Sequence, residues 1–351
     1  MSNLTDSGTL VRMAYHGLLT LGVDADAVLR CAGLEPKKLY NTHLRTQFAA
    51  QPEFWAAAQA LSNDPSIGLH LGENMPIYKS QIFEHLLLSS TTFGEGLRRM
   101  GNYQRLISDA LHCDLAEEST PYISNQFNAP EYATSHLAEA MTIGLIRLFH
   151  SVTDGHFKPI KITFNHHPNA ELDEYARIFK CPVEFNAETL RLYFSPHLLT
   201  YRSMYAQPEL VNLQLIAAEK HLAKLQQFDL IRALRHSLGG SLETRQITLD
   251  SIAKTLNMPV RHLRYALHNA GTTFQHELNH CRRALAKKLL ASSDENISDV
   301  VFLTGFSEAS TFYRAFKRWE GMTPNAYRQF HRSKPSADHN EGVAAGALNV
   351  N

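Results

Sequence analysis

The sequence predicts two domains of different class: an α+β domain over residues 1–205, and an all-α domain over 228–332 built from two helix-turn-helix units. Three observations carry this. The first two thirds mix apolar runs at helical spacing with a few alternating stretches. The last third is helical throughout, with one pattern written twice. Charge is divided unequally between the two parts. The 351 residues suit two domains of roughly 150 each, and 44% hydrophobic residues suffice for packed cores.

In the first part, Ala27 to Leu39 reads as a short helix ended near Gly33 and followed by a turn at Pro36. Pro52 to Leu61 opens with proline in its first turn and stops before Asn63, Asp64 and Pro65. Helical spacing recurs at Ile82 to Leu88, Gly96 to Leu106 and Tyr132 to Phe149. Ile123 to Phe127 reads as a strand, and so does Ile160 to Phe164, where Ile160, Ile162 and Phe164 alternate onto one face. A helix from Glu171 to Phe179 leads to Val183 to Phe185 and Leu190 to Phe194, which read as a hairpin. Helices first and a small sheet later is an α+β arrangement. A helix from Glu209 to Phe228 spans the 206–227 linker, with Leu210, Leu213, Ile216, Ala217 and Leu222 broadly on one side.

Several groups imitate chemistry without supporting it. The four cysteines, Cys31, Cys113, Cys181 and Cys281, form no CxxC pair, which argues against a zinc module or disulfide framework and for free, mostly buried thiols. Asp109, His112, Cys113 and Asp114 lack a second ligand cluster. His166 and His167 are strand neighbours that point to opposite faces. Gly94 and Gly96 lack the third glycine and the preceding strand of a dinucleotide fingerprint. No serine elbow, HExxH or phosphate loop occurs, so no catalysis, metal or cofactor is expected. The start has no basic and apolar leader, and no apolar run is long enough for a membrane, so the cytoplasm is the expected location.

The formal net charge of zero conceals an asymmetry. Residues 1–225 carry 18 basic and 23 acidic side chains, whereas 226–334 carry 16 basic and nine acidic. A surplus of seven positive charges in one block fits a nucleic-acid partner and equally a solvated surface, and motifs have to decide between them. The remainder, 333–351, has Pro335, Ser336, Gly342 and Gly346 and few apolar anchors, and is expected to be disordered.

Within the basic block, Leu249, Ile252, Ala253 and Leu256 share one helical face, Asn257 to Pro259 breaks the helix, and Val260 to Asn269 resumes it with Leu263 and Leu267 inward. Ala253 is small where two helices approach, and Asn257 tolerates the left-handed turn. The pattern returns with Ile297, Val300, Val301 and Thr304 on one face, Gly305 at the turn, and Ser307 placed to cap a helix from Glu308 to Trp319 with Phe312 and Phe316 inward. Leu263 and Leu267 precede Phe312 and Phe316 by 49 positions, but Asn257 precedes Gly305 by 48. The repeat therefore differs by one residue at the second turn. Between the units, Thr273 to Ala291 reads as one long amphipathic helix with Arg282, Arg283, Lys287 and Lys288 on its surface.

The run from Gly305 to Arg328, GFSEASTFYRAFKRWEGMTPNAYR, resembles the signature of the AraC/XylS family of bacterial transcription regulators, and Arg261 to Phe274 resembles that family's first recognition helix and exit turn. The resemblance covers roughly 228–330. Residues 25–205 are similar to the arabinose-binding-like N-terminal domain of one subgroup, through Asp64-Pro65, Gly68-Leu69, Ser90-Thr91-Thr92-Phe93 and Pro182-Val183-Glu184-Phe185.

The resemblance implies that each unit lays its second helix in the major groove of double-stranded DNA, about 34 Å apart on one DNA face. The positions matching the family's base readers are Arg261, Arg264 and Tyr265 in the first helix and Ala309, Ser310, Thr311 and Arg314 in the second. Lys317, Arg318 and Arg328 match phosphate-holding positions. Two departures stand out: Pro259 replaces a capping Ser, and Tyr265 replaces a common Arg. The N-terminal domain is then expected to sense a small-molecule effector and to dimerise, with promoter DNA and RNA polymerase as partners and activation as the output. Amino acids and their catabolites, fatty acids and sugars are all compatible effectors. The alternatives are a ligand-independent architectural DNA binder or a DNA-targeted enzyme.

Overall fold

The computed structural model describes residues 4–77, 82–242 and 247–332, so the tail expected at 333–351 lies outside the described residues. The chain divides into two compact units, Met1–Ala223 and Lys224–Asn351.

The first unit opens with β1 (Thr5–Ser7), α1 (Gly8–Thr20) and α2 (Ala25–Cys31), followed by β2 (Arg45–Gln47), which pairs antiparallel with β1. Then come α3 (Gln51–Ser62), α4 (Ile67–Asn74), α5 (Ile82–Ser89) and α6 (Phe93–Asn102). Their boundaries follow local chemistry. Asp24 accepts from the Ala27 amide to start α2, Thr92 accepts from the Glu95 amide to start α6, and Asn63 adopts φ 55° to end α3. The Gly94 and Gly96 pair serves packing: a Cβ at 94 would lie 2.7 Å from the Leu199 carbonyl oxygen, and one at 96 would lie 2.9 Å from the Leu87 Cα.

The main sheet contains β3 (Leu111–Ala116), β4 (Tyr122–Phe127), β5 (Pro159–Thr163), β6 (Val183–Glu184) and β7 (Leu190–Phe194), in the order β3-β4-β7-β5-β6. Between β4 and β5 runs α7 (Ser135–Val152), and between β5 and β6 runs α8 (Leu172–Phe179). The helix α7 is capped by Thr134 and buries residues around most of its circumference, as a helix central to a core must. Its Leu145, Leu148 and Phe149 join Ile123, Ile162, Leu192 and Phe194 of the sheet and Phe93 of α6 in one apolar cluster. The unit thus has the α+β architecture expected.

Three local expectations are corrected. The segments at Val183 and Leu190 do not form a hairpin, because β6 pairs in parallel with β5 through the α8 crossover, and β7 inserts between β4 and β5. Ile160 does not share a face with Ile162 and Phe164. A register shift between Pro159 and Lys161 turns it out, leaving it 46% exposed while the other two are buried. The cysteines are free, but Cys31 is exposed and the other three are only half-buried.

The helix expected at Glu209 to Phe228 is α9, Pro208–Ser241, which continues past residue 228. Its apolar residues do not share one side. Val211 and Ala218 are buried and Leu222 packs on the core of the first unit, whereas Leu210, Leu213 and Ile216 face outward, Leu213 being 63% exposed.

The second unit is all helical: the end of α9, then α10 (Leu249–Thr255), α11 (Val260–Asn269), α12 (Phe274–Ser292), α13 (Ile297–Leu303), α14 (Ala309–Glu320) and α15 (Pro324–Arg332). It has two separate cores. Leu234 and Leu238 of α9 pack with Ile252, Leu263, Leu267 and Leu278, while Ala286 and Leu290 of α12 pack with Val300, Phe306, Phe312, Phe316 and Tyr327. Each core closes one helix-turn-helix, and α12 contributes to both. Among the described residues no helix is long and apolar enough to cross a membrane.

Candidate nucleic-acid interface

The first unit of the pair begins at Thr248, whose hydroxyl accepts from the Ser251 amide while Ser251 Oγ accepts from the Thr248 amide, a reciprocal cap. After α10 the chain turns through Asn257 at φ 51°, the left-handed conformation that asparagine tolerates. Pro259 then occupies the N-cap of α11 without a side-chain hydrogen bond, its φ of −62° already set. Leu263 and Leu267 are fully buried, which fixes the rotation of α11. Arg261, Arg264 and Tyr265 consequently stand exposed, Tyr265 at 68%. Spacings of three and four residues place them on one face. His268, also exposed, extends that face by one turn. It was not among the positions picked out by family motif, although its i+4 spacing from Arg264 marks it in the sequence.

In the second unit, Asn296 caps α13 through the Asp299 amide, and the buried Thr304 hydroxyl closes the helix end on the Val300 carbonyl. Gly305 follows at φ 74°. The helix α14 has Glu308 as its N-cap, with no side-chain cap bond, so Ser307 does not cap it as expected. The turn between α13 and α14 occupies residues 304–308, one more than the 256–259 turn between α10 and α11. That extra residue accounts for the offset between the repeats and moves the cap from position 307 to 308. Phe312 and Phe316 are fully buried, and Ala309, Ser310, Thr311 and Arg314 are exposed on the opposite side.

The basic residues separate into two groups. Lys317 and Arg318 are exposed at the last turn of α14. Arg328 lies half-buried on α15, its Nε and one Nη shielded from solvent and without a hydrogen-bond partner among the described residues. The expectation that Arg282, Arg283, Lys287 and Lys288 all decorate the surface of α12 needs correction. Arg282 is half-buried over the Phe306 ring, 4.7 Å from its centroid, and donates to the Gly305 carbonyl at 2.8 Å. Burial lowers its pKa. Arg283 and Lys287 both pair with Glu320, at 2.6 and 3.4 Å, fastening α12 to the end of α14. Lys288 alone of the four is exposed without an ion pair among the described residues.

Two exposed recognition-type helices, each rotated by a private core and rich in arginine and small polar side chains, define a helix-turn-helix DNA-binding protein. Comparison with known proteins makes the class specific. Residues 22–203 match the arabinose-binding domain of AraC transcription regulators, and 252–329 match a helix-turn-helix domain model. The chain belongs to the AraC family of transcription regulators, in the group with an arabinose-binding-like N-terminal domain, and is not an enzyme. It is similar to the ornithine utilization regulator of Pseudomonas aeruginosa, 27% identical over 335 residues, spanning 93% of this chain and 98% of that one. It is also similar to the transcriptional regulator VqsM of the same organism, 27% identical over 45% of this chain and 49% of that one. Among solved structures, the transcriptional regulator CdpR of Pseudomonas aeruginosa aligns over 86% of this chain and 95% of its own, at 20% identity and a TM-score of 0.43.

Proposed function

We propose that this regulator is a sequence-specific activator whose two recognition helices read adjacent major grooves and whose N-terminal domain responds to a small metabolite. The observation that carries the reading is the outward placement of Arg261, Arg264 and Tyr265 on α11 and of Ala309, Ser310, Thr311 and Arg314 on α14, opposite buried Leu263, Leu267, Phe312 and Phe316. An arginine fork matches guanine O6 and N7, and the Thr311 and Ala309 methyl groups suit a thymine methyl. Lys317, Arg318 and Arg328 hold phosphates and set the register.

In this reading, residues 1–205 sense and dimerise, 206–227 connect, and 228–332 bind DNA. The outward Leu210, Leu213 and Ile216 offer a surface to a second copy of the chain, and RNA polymerase is the partner at the promoter. The similarity to an ornithine utilization regulator supports a metabolite input by analogy.

The test is selection of binding sites from random DNA by the full chain, followed by Arg264→Ala. Loss of one bidentate base contact of about 1–3 kcal/mol weakens the selected site roughly 5- to 150-fold while random DNA binding stays nearly level. Equal losses on both DNAs refute base reading by Arg264.

A further inference from the structure

The first unit holds a cavity of about 120 Å³, partly open to solvent, between its first three helices, α7 and the sheet. Met13, Leu29, Phe54, Trp55, Phe127 and Met141 contribute apolar walls. Asp6, Gln51 and Ser108, which hydrogen-bond to one another, also line the space, as do Thr46 and Gln47. A cavity on the order of 150 Å³ with apolar walls accepts a benzene-sized guest.

The hydrogen-bonded cluster is built around a carboxylate. Asp6 is only 2% exposed; its Oδ1 accepts from Ser108 Oγ at 2.6 Å and its Oδ2 accepts from Gln51 Nε2 at 2.8 Å. Gln51 is itself oriented by Trp55 Nε1, which donates to its Oε1 at 2.9 Å. Those two donors leave carboxylate lone pairs unused. Asp6 also has no ion-pair partner among the described residues. Arg45, whose charge reaches it, is engaged by Asp109 at 3.1 Å and by Thr5 at 2.7 and 2.8 Å. Burial accordingly raises the Asp6 pKa, as it does for a carboxylate whose charge is poorly matched.

We propose that this cavity is the effector site of the regulator and that it takes a compact, mainly apolar amine, whose cationic head sits against Asp6 and whose body of about six to nine heavy atoms fills the space beside Trp55 and Phe54. The inference rests on the effector reading above and narrows it. A sugar is excluded by the walls, because only some of its several hydroxyls would meet polar groups and the rest would lose water without replacement. An acid is disfavoured by Asp6, and the volume would leave most of a long acyl chain outside the walls.

The probes are benzylamine, benzyl alcohol, toluene and benzoate, titrated into the full chain carrying Trp319→Phe, which leaves Trp55 as the single tryptophan. Saturable change in Trp55 emission is expected with benzylamine at least about tenfold tighter than with toluene, and no change with benzoate. Asp6→Asn is expected to remove the preference for the amine while toluene still binds. Should that variant fail to fold, Met141→Phe narrows the cavity without touching the carboxylate or adding a second tryptophan and is expected to remove most of the benzylamine binding. The proposal is overturned if benzylamine does not bind at millimolar concentration, if benzoate binds as well, or if both variants bind benzylamine like the parent.

Measuring affinity for the selected DNA in the same titrations separates the two claims. Amine binding with unaltered DNA affinity sustains the site and overturns its effector role. A DNA affinity that responds to a metabolite extract, with no amine bound, sustains the effector reading and overturns the site.

Discussion

Gly305 meets two demands at one position, and they are independent. Its φ of 74° is a conformation that side chains disfavour, and an added Cβ would lie 2.5 Å from the Leu242 carbonyl oxygen, a backbone atom that cannot swing aside. Its own carbonyl holds the Arg282 guanidinium at 2.8 Å, so displacement of the turn also disturbs the stack on Phe306. Gly305→Ala is therefore expected to destabilise the second helix-turn-helix by about 2 kcal/mol or more. Asn257 marks the equivalent turn in the first unit, where Asn257→Gly should be nearly neutral, because glycine also reaches a φ of 51°. Thermal unfolding of the two variants checks the contrast; equal small effects would show that the turn at 305 yields to a side chain. Both turns were legible in the sequence because residue type alone signals a left-handed backbone. The inward role of Arg282 was not, since its partners, a carbonyl and a ring some 23 residues away, leave no mark on the local pattern.

At the scale of elements, legibility tracked how local the cause was. The recognition helices could be read from the 49-residue repeat of inward Leu263, Leu267, Phe312 and Phe316. The strand β3 alternates, with Leu111, Cys113 and Leu115 half-buried and His112 and Asp114 exposed, but at the sheet edge it buries no residue fully, so its signal is weak beside that of the inner strands. The partner of β7 is chosen by tertiary packing, so nearness in sequence to β6 misled. Such nonlocal packing includes a charged clamp between α4 and α8. His70 Nδ1 meets Asp64 Oδ2 at 2.5 Å and its Nε2 meets Glu174 Oε1 at 2.9 Å, an arrangement that requires both ring nitrogens to be protonated. Burial opposes that charge, but the two carboxylates outweigh it and raise the His70 pKa, while Arg177 and His70 hold Glu174 down at about 2. A raised folded pKa contributes stability in full below the unfolded value of about 6.5, and the contribution is lost as pH rises through the folded value. With a third of the side chain exposed to screening, about 1 kcal/mol is expected. His70→Gln should thus lower the stability of the first unit near pH ~6 and have little effect near pH ~9, followed by Trp55 fluorescence on heating in a chain that also carries Trp319→Phe. An unchanged deficit at high pH would mean that the clamp acts by shape alone.

For the whole molecule, a formal charge of zero suggests indifference to polyanions, but association with DNA samples the charge that faces it and not the sum. Residues 226–334 carry a surplus of seven, and Arg261, Arg264, Arg314, Lys317 and Arg318 are exposed on the two helices proposed to enter the grooves. The acidic balance of residues 1–225 works against wrapping of DNA around the first unit. Affinity for the selected site should consequently fall steeply with salt, each neutralised phosphate contributing about 0.9 to the slope of log affinity against log salt. Lys317→Ala and Arg318→Ala should each flatten that slope by about one and weaken selected and random DNA alike. Arg264→Ala should leave the slope nearly intact and lower affinity for the selected site only. Titrations over a range of potassium chloride concentrations distinguish these outcomes. A slope near zero for the parent chain would refute phosphate contact by the basic block, and a slope altered equally by all three variants would make Arg264 a phosphate contact instead of a base reader.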